Sequence, residues 1–313
     1  MTRTLPDHPV HCDTGEPPAH APAAPADPWS ALRRHTPARI SLGRAGTSLP
    51  TPEVLRFAAA HAAARDAVHL PLDVEALLAD LRTRGFEAMT ATSRAGSRVE
   101  YLTRPDLGRQ LAPASADALE GEGGLCIVIG DGLSAVAAQR HAAPLLAALR
   151  DAGAVAQRIV VATQARVALG DAIGERVGAA LVLVLIGERP GLSSPDSLGA
   201  YLTWAPKVGR VDSERNCVSN IRPEGLPLAG AAARIAWLLR ESQRRRVTGI
   251  ALKDDSDVPA VEGDAARPPQ VAVAGNDLHA LPATAGDAVP PLQVAADNDL
   301  RALPAAAGDA PTT

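Results

Sequence analysis

Aromatic residues are scarce in this chain and make up only 2% of its 313 residues. Any hydrophobic core must therefore rest on Leu, Val, Ile and Ala. The three cysteines, Cys12, Cys126 and Cys217, lie far apart and include no CxxC pair, so neither a disulfide framework nor a zinc site has support. Cys126 precedes Ile127, Val128 and Ile129, and we expect it to be a small, buried core residue.

Strong charge and long apolar runs are also missing. The net charge of -4 is mild and gives no reason to expect nucleic acid or an anionic membrane as a partner. The first residues lack the apolar stretch of a secretory signal. The most apolar run, residues 179–186, is too short to cross a bilayer as a helix. We therefore expect a cytoplasmic protein without a membrane partner.

Both ends of the chain have compositions that do not suit a packed core. Residues 1–28 are rich in Pro and Ala, and residues 253–313 are acidic, contain spaced prolines and have no aromatic residue. The second segment holds a duplication: residues 276–288 (NDLHALPATAGDA) recur as 298–310 (NDLRALPAAAGDA). Two copies are too few for a repeat array with its own core. We predict that both ends are disordered, with a weak interaction motif in the duplicated tail as the alternative.

Residues 29–115 are predicted to form a small helical region. In one predicted helix Thr51 is the N-cap and Pro52 the first helical residue, and a second helix spans residues 74–83. Two histidines and an arginine, His61, Arg65 and His69, share a face of the first helix. Because an arginine between two histidines repels a cation, the pattern favours a polar interface or a solvated face over a metal site.

Residues 116–252 are predicted to form a Rossmann-like α/β domain. Apolar runs at residues 125–129, 159–162 and 181–186 indicate strands buried on both faces. Helical segments at 133–150 and 171–177 separate them, and a long helix at 229–246 follows. Strands that alternate with helices predict a parallel sheet with right-handed crossovers.

Ligands of open α/β sheets bind beyond the carboxyl ends of the strands. Four segments are candidates: 130–135, 163–167, 187–192 and a fourth predicted loop at 215–221. The first matches the dinucleotide pattern GxGxx(G/A), but the match is weak because Asp131 would repel a phosphate. The second strand also lacks a final acidic residue for a ribose hydroxyl. A nicotinamide-binding oxidoreductase therefore stays the alternative function.

Glu188 is the most suggestive charged residue, since it follows the third apolar run directly. An ion pair with Arg189 or a helix cap is the structural alternative. For Cys217 the alternative is a buried inert thiol, which is more common than a ligand or a nucleophile. The chain has no HExxH, Walker loop, Cys/His cluster or Ser–His–Asp order. No catalytic residue is predicted.

Taken together, several segments resemble the small (light) subunit of adenosylcobalamin-dependent ethanolamine ammonia-lyase. The resemblance covers about residues 29–252 and not the two ends. Its segments are 36–50 (TPARISLGRAGTSLP), 61–69 (HAAARDAVH), 101–108 (YLTRPDLG), 130–135 (GDGLSA), 187–192 (GERPGL) and 215–226 (RNCVSNIRPEGL).

The resemblance implies a subunit of a carbon–nitrogen lyase that converts ethanolamine to acetaldehyde and ammonia. Adenosylcobalamin would lie between this chain and a large subunit that carries the catalytic residues, with six copies of each chain in the assembly. By position, Val167 would pack on the cofactor, Glu188 would accept hydrogen bonds from it, and Cys217 would line the pocket without binding cobalt. The resemblance also implies that residues 29–115 contact the large subunit, and it raises the option of a bacterial microcompartment. A purely structural scaffold stays open as a third hypothesis.

Overall fold

A computed structural model of the chain describes residues 28–36, 38–121 and 123–256. The predictions for residues 1–27 and 257–313, including the duplicated segment, lie outside these ranges.

The N-terminal part of the described chain combines helices with one strand. A 3₁₀ helix, Pro28–His35, precedes α1 (Thr51–His69), α2 (Val74–Thr83) and β1 (Met89–Thr92). The short helices α3 (Arg98–Thr103) and α4 (Pro113–Ala118) follow, with a 3₁₀ turn, Leu107–Arg109, between them. The region predicted to be helical therefore also supplies a strand.

The boundaries of the first two helices depend on their caps. The predicted N-cap at Thr51 is wrong by one residue, because the Pro50 carbonyl accepts from the backbone N–H groups of Glu53 and Val54. Helix α2 begins and ends as predicted. The Asp73 carboxylate caps it by accepting a 3.0 Å hydrogen bond from the Ala76 N–H.

The rest of the described chain alternates strands and helices and then becomes antiparallel. Its elements are β2 (Leu125–Gly130), α5 (Ala135–Asp151), β3 (Arg158–Thr163), α6 (Leu169–Arg176), β4 (Leu181–Gly187), β5 (Leu198–Trp204), β6 (Arg215–Ile221) and α7 (Leu228–Arg245). Short 3₁₀ turns, Asp212–Glu214 and Gly249–Ala251, precede β6 and follow α7.

The six strands of the described ranges form one mixed sheet in the order β1-β3-β2-β4-β5-β6. The first four strands in this order are parallel, whereas β5 is antiparallel to β4 and to β6. The predicted parallel pairing holds for β2, β3 and β4, but the wholly parallel, Rossmann-like sheet is not confirmed, because β5 is antiparallel to both of its neighbours. The short segments 188–197 and 205–214 cannot hold the crossover helix that parallel neighbours require, so the chain reverses direction at each.

Alternate residues of the strands enter two separate cores. On one face, which we call the α5–α7 face, Leu125, Leu183 and Leu202 pack with residues of α2, α5 and α7. On the opposite α6 face, Val128 and Val184 pack with residues of α6. Every residue of β2 and β4 is buried, as the continuous apolar runs predict. Cys126 is fully buried in the α6-face core, which confirms its expected role.

Within the described ranges, no helix is both long enough and apolar enough to span a membrane.

Candidate functional site

The three predicted site residues lie in or after three different strands. Val167 lies four residues beyond the end of β3, Glu188 directly follows β4, and Cys217 lies inside β6. Val167 packs against the α6-face core, two strands away from β4. Cys217 pairs in register with Tyr201 of β5, which packs against the same core.

The segment that contains Cys217 is an edge strand, so the prediction of a loop at residues 215–221 is wrong. Its polar sequence suggests an exposed loop, but Arg215 is buried and forms an ion pair. The two terminal nitrogens of Arg215 donate to the Asp171 carboxylate of α6 at 2.6 and 2.7 Å, and one of them also donates to the Thr203 hydroxyl at 3.0 Å. A buried charge is tolerated when it is paired in this way. The ion pair therefore fastens the start of β6 to α6.

Cys217 and Tyr201 form a cross-strand pair at the outer part of the sheet. The Cys217 side chain is exposed, so the alternative of a buried thiol is wrong. Its flank is nevertheless shielded from solvent, and this desolvation raises the pKa of the thiol; the charge of Glu188 adds to the shift. Desolvation likewise raises the pKa of the Tyr201 phenol, with further contributions from Cys217 and Glu188. Both groups are therefore protonated and uncharged at neutral pH.

Glu188 is fixed by donors from two other segments of the chain. Its Oε2 accepts a 2.5 Å hydrogen bond from the Ser197 hydroxyl and a 3.2 Å bond from the Asn220 backbone N–H. The β5–β6 pairing shifts register next to Asn220, whose φ of +58° is left-handed, so a β-bulge turns this N–H toward Glu188. The side chain lies over Gly199, where a Cβ would stand 2.9 Å from Oε1 and 3.1 Å from the Tyr201 ring.

Neither structural alternative for Glu188, an ion pair with Arg189 or a helix cap, is present in the described part of the chain. Among residues 28–36, 38–121 and 123–256, no ion pair joins Glu188 to Arg189, and no donor of this part of the chain contacts Oε1. Its partners lie on the β5–β6 side and not at a helix terminus. One carboxylate oxygen is therefore engaged by the protein, and the other remains able to accept a hydrogen bond.

The glycine-rich loop after β2 contains an aspartate, Asp131, whose side chain is buried and bonded within the protein. The buried Asp131 carboxylate accepts from the backbone N–H groups of Gln164 and Ala165 at 2.9 and 2.8 Å, and from Arg98 at 3.0 Å. At Gly132, with a φ of +56°, a Cβ would stand 2.1 Å from the Gly187 carbonyl oxygen. Amides of the loop and of the start of α5 are also engaged within the protein, since the Leu133 N–H donates to the Gly187 carbonyl and the Ala137 N–H to the Ser134 hydroxyl. This geometry gives the nicotinamide alternative no support.

The α6 face of the sheet is open at the middle of β6 and not along β5, where Gly199 and Thr203 are buried and Tyr201 is partly buried. Helix α6 has only eight residues and packs mainly against β2 and β4, and it reaches the start of β6 through the Asp171–Arg215 ion pair. Val218 and Ile221 of β6 are buried on the α5–α7 face, whereas Cys217 and Ser219 are exposed. Antiparallel strands often leave one face to solvent in this way.

Sequence reasoning missed several residues of this region. Ser197, Tyr201 and Asn220 hold or border Glu188, and Arg98 pairs with Asp131. The β-forming residues of 198–204, among them Tyr, Thr and Trp, could have indicated β5. Nothing in the local sequence of Arg98 signals its partner, because 33 positions separate the two residues.

The fold and this site define a mixed α/β protein in which a carboxylate, that of Glu188, is held in place after a central strand. The family model described as ethanolamine ammonia-lyase light chain matches residues 26–253. The ethanolamine ammonia-lyase small subunit of Ralstonia nicotianae is 53% identical over 248 residues, which cover 75% of this chain and 92% of that protein. Those of Azotobacter vinelandii and Bradyrhizobium diazoefficiens are 52% and 56% identical, covering 78% and 75% of this chain and 95% and 94% of those proteins.

The chain therefore belongs to the ethanolamine ammonia-lyase small-subunit (light-chain) family. The match covers nearly all residues that the structure describes, including every strand and helix of the sheet domain. The resemblance seen in the sequence motifs is confirmed.

Proposed function

We propose that this chain is the smaller component of a two-chain carbon–nitrogen lyase that converts ethanolamine to acetaldehyde and ammonia. The observation that carries the proposal is the family match across residues 26–253. The relatives are named small subunits, which supports a large subunit as the partner. We assign the catalytic residues to that partner, and we expect six copies of each chain.

The open face fits adenosylcobalamin as a cofactor shared between the two chains. The carboxylate of Glu188 beside it has one oxygen available for an amide or hydroxyl donor, and the exposed middle of β6 offers a surface for a large flat ring. In this arrangement Glu188 would accept a hydrogen bond, Val167 would pack on the cofactor, and Cys217 would line the pocket. When bound, the cofactor supplies the 5′-deoxyadenosyl radical for hydrogen abstraction.

The state of Cys217 supports a lining role. A thiol binds metal as the thiolate, and the raised pKa of Cys217 keeps it protonated at neutral pH. We therefore propose that Cys217 contributes a small, soft wall and no cobalt ligand. The four parallel strands, β1 to β4, have helices on both faces of the sheet. This arrangement supports a Rossmann-like fold for that part of the sheet alone.

Helix α1 is the surface that we propose for the large subunit. Of its 19 residues only Ala67 is buried. Val54, Leu55 and Phe57 are 48%, 64% and 47% exposed, and such a cluster of exposed apolar side chains is typical of a protein interface. His61, Arg65 and His69 are exposed on the same helix, which agrees with a polar or interface role. We place the assembly in the cytoplasm, with a microcompartment as an open proposal.

Co-expression with the large subunit tests this function. The purified pair should deaminate ethanolamine only when adenosylcobalamin is added, and neither chain should do so alone. Turnover by this chain alone, supplied with the cofactor, would contradict the assignment of the chemistry to the partner. Full turnover by the large subunit alone would favour a purely structural scaffold.

A further inference from the structure

Three residues of β5, β6 and the loop before β5 determine where the Glu188 carboxylate lies. Glu188 follows β4, yet both donors to its Oε2 come from later in the chain: the Ser197 hydroxyl before β5 and the Asn220 amide in the β6 bulge. A third element, Gly199, leaves the space that the carboxylate occupies.

The contacts at Gly199 are tight enough to decide the position of Glu188. A methyl group at Gly199 would stand 2.9 Å from Oε1, 3.1 Å from Cγ and 3.1 Å from the Tyr201 ring. Because the first distance is below 3.0 Å, the end of the Glu188 side chain would have to shift away from its present position. Glycine therefore serves here to leave space, since Gly199 has no positive φ that would require it for backbone conformation.

The two hydrogen bonds also decide which oxygen stays available. Both donors converge on Oε2, and no donor within the described residues reaches Oε1. Ser197 is itself buried, so its hydroxyl cannot exchange freely with water. A carboxylate held by one oxygen presents the other in a constant direction.

We propose that Gly199 and Ser197 are positioning residues for ligand binding: they hold Glu188 flat on the open face, with Oε1 directed to a hydrogen-bond donor of the cofactor. This inference rests on the proposed cobalamin site and adds residues to it. It implies that ligand affinity depends on Gly199 and Ser197 only through Glu188.

A double-mutant cycle on the two-chain complex tests this dependence. Gly199→Ala, Ser197→Ala and Ser197→Thr are made in the natural chain and in Glu188→Ala, and hydroxocobalamin is titrated by absorbance. Gly199→Ala should weaken binding roughly tenfold and Ser197→Ala on the order of fivefold. Ser197→Thr, which keeps the hydroxyl, should restore most of the affinity. Ser193→Ala, at an exposed position of the same loop, is the matched control and should leave affinity unchanged.

In the Glu188→Ala chain the same substitutions should change affinity less than about twofold, because the group they position is gone. Equal losses in both backgrounds would overturn the positioning role, since the residues would then act without Glu188. Unchanged affinity for both Gly199→Ala and Ser197→Ala, while Glu188→Ala binds weakly, would also overturn it. If Glu188→Ala itself binds normally, the proposed contact fails, and the positioning role fails with it. If the Gly199→Ala chain does not fold, the comparison of Ser197→Ala with Ser197→Thr is enough to test the positioning role.

Discussion

Arg215 of β6 and Asp171 of α6 form an ion pair whose side chains are only 2% and 1% exposed. The pair sits two residues before Cys217 and joins the edge strand to the helix that covers the neighbouring part of the sheet. This buried ion pair therefore supports the start of β6, the strand whose middle is exposed on the α6 face.

Asp171→Ala should lower the free energy of unfolding by about 3–5 kcal/mol, because it leaves the buried Arg215 guanidinium without its buried carboxylate partner. Urea denaturation of the isolated chain measures this loss. Asp106→Ala, which breaks an exposed pair with Arg104, is the control and should leave the unfolding free energy almost unchanged. A small loss for both variants would show that the buried pair contributes little.

Glu188→Ala should weaken cobalamin binding to the two-chain complex by about 1–3 kcal/mol, roughly tenfold to a hundredfold, since it leaves a ligand donor unpaired. Glu188→Gln distinguishes the roles of the two carboxylate oxygens. Its amide oxygen can still accept the hydrogen bonds from Ser197 and Asn220, and the amide nitrogen then lies where Oε1 would face the ligand. We expect its melting midpoint to stay near that of the natural chain while its affinity falls. A depressed midpoint with normal affinity would mean that Glu188 only secures the bulge.

Cys217 should react with iodoacetamide only slowly near neutral pH, despite its exposure. Thiolate is the reactive form, and the raised pKa delays its appearance as pH rises. The alkylation rate, followed by peptide mass spectrometry, should therefore reach half its maximum at a higher pH than for an ordinary cysteine. Cys126, whose pKa burial raises to about 12, provides an unreactive internal reference. A midpoint below the ordinary value would contradict the proposed environment of Cys217.

Equilibrium dialysis against NAD should detect no binding to this chain. The amides of Leu133 and Ala137, in the loop and at the start of α5, donate within the protein, and the Asp131 carboxylate in the loop would repel a pyrophosphate. Saturable binding at micromolar NAD would show that this loop opens.

The parallel half of the sheet could be predicted because its signals are local. The runs that form β2 and β4 are apolar at every position, which is what burial on both faces requires. The motif after β4 also placed Glu188 at a strand end, where the structure has it.

The antiparallel half could not be predicted, because its order depends on distant partners. Strand β6 is polar along most of its length; Arg215 needs Asp171, 44 positions away, and Glu188 satisfies the amide of Asn220, 32 positions away. The four residues of β1 carry no apolar run and become a strand through their pairing with β3. Such long-range pairs leave no periodic signal in the sequence.

The most direct test of the account is the affinity of hydroxocobalamin for the large subunit alone, for this chain alone and for the two together, measured by absorbance titration under one set of conditions. The account predicts tight binding only when both chains are present, with a loss of roughly tenfold or more in the complex that carries Glu188→Ala. Equal affinity of the large subunit with and without this chain would contradict the claim that Glu188 and the exposed middle of β6 form part of the cofactor site.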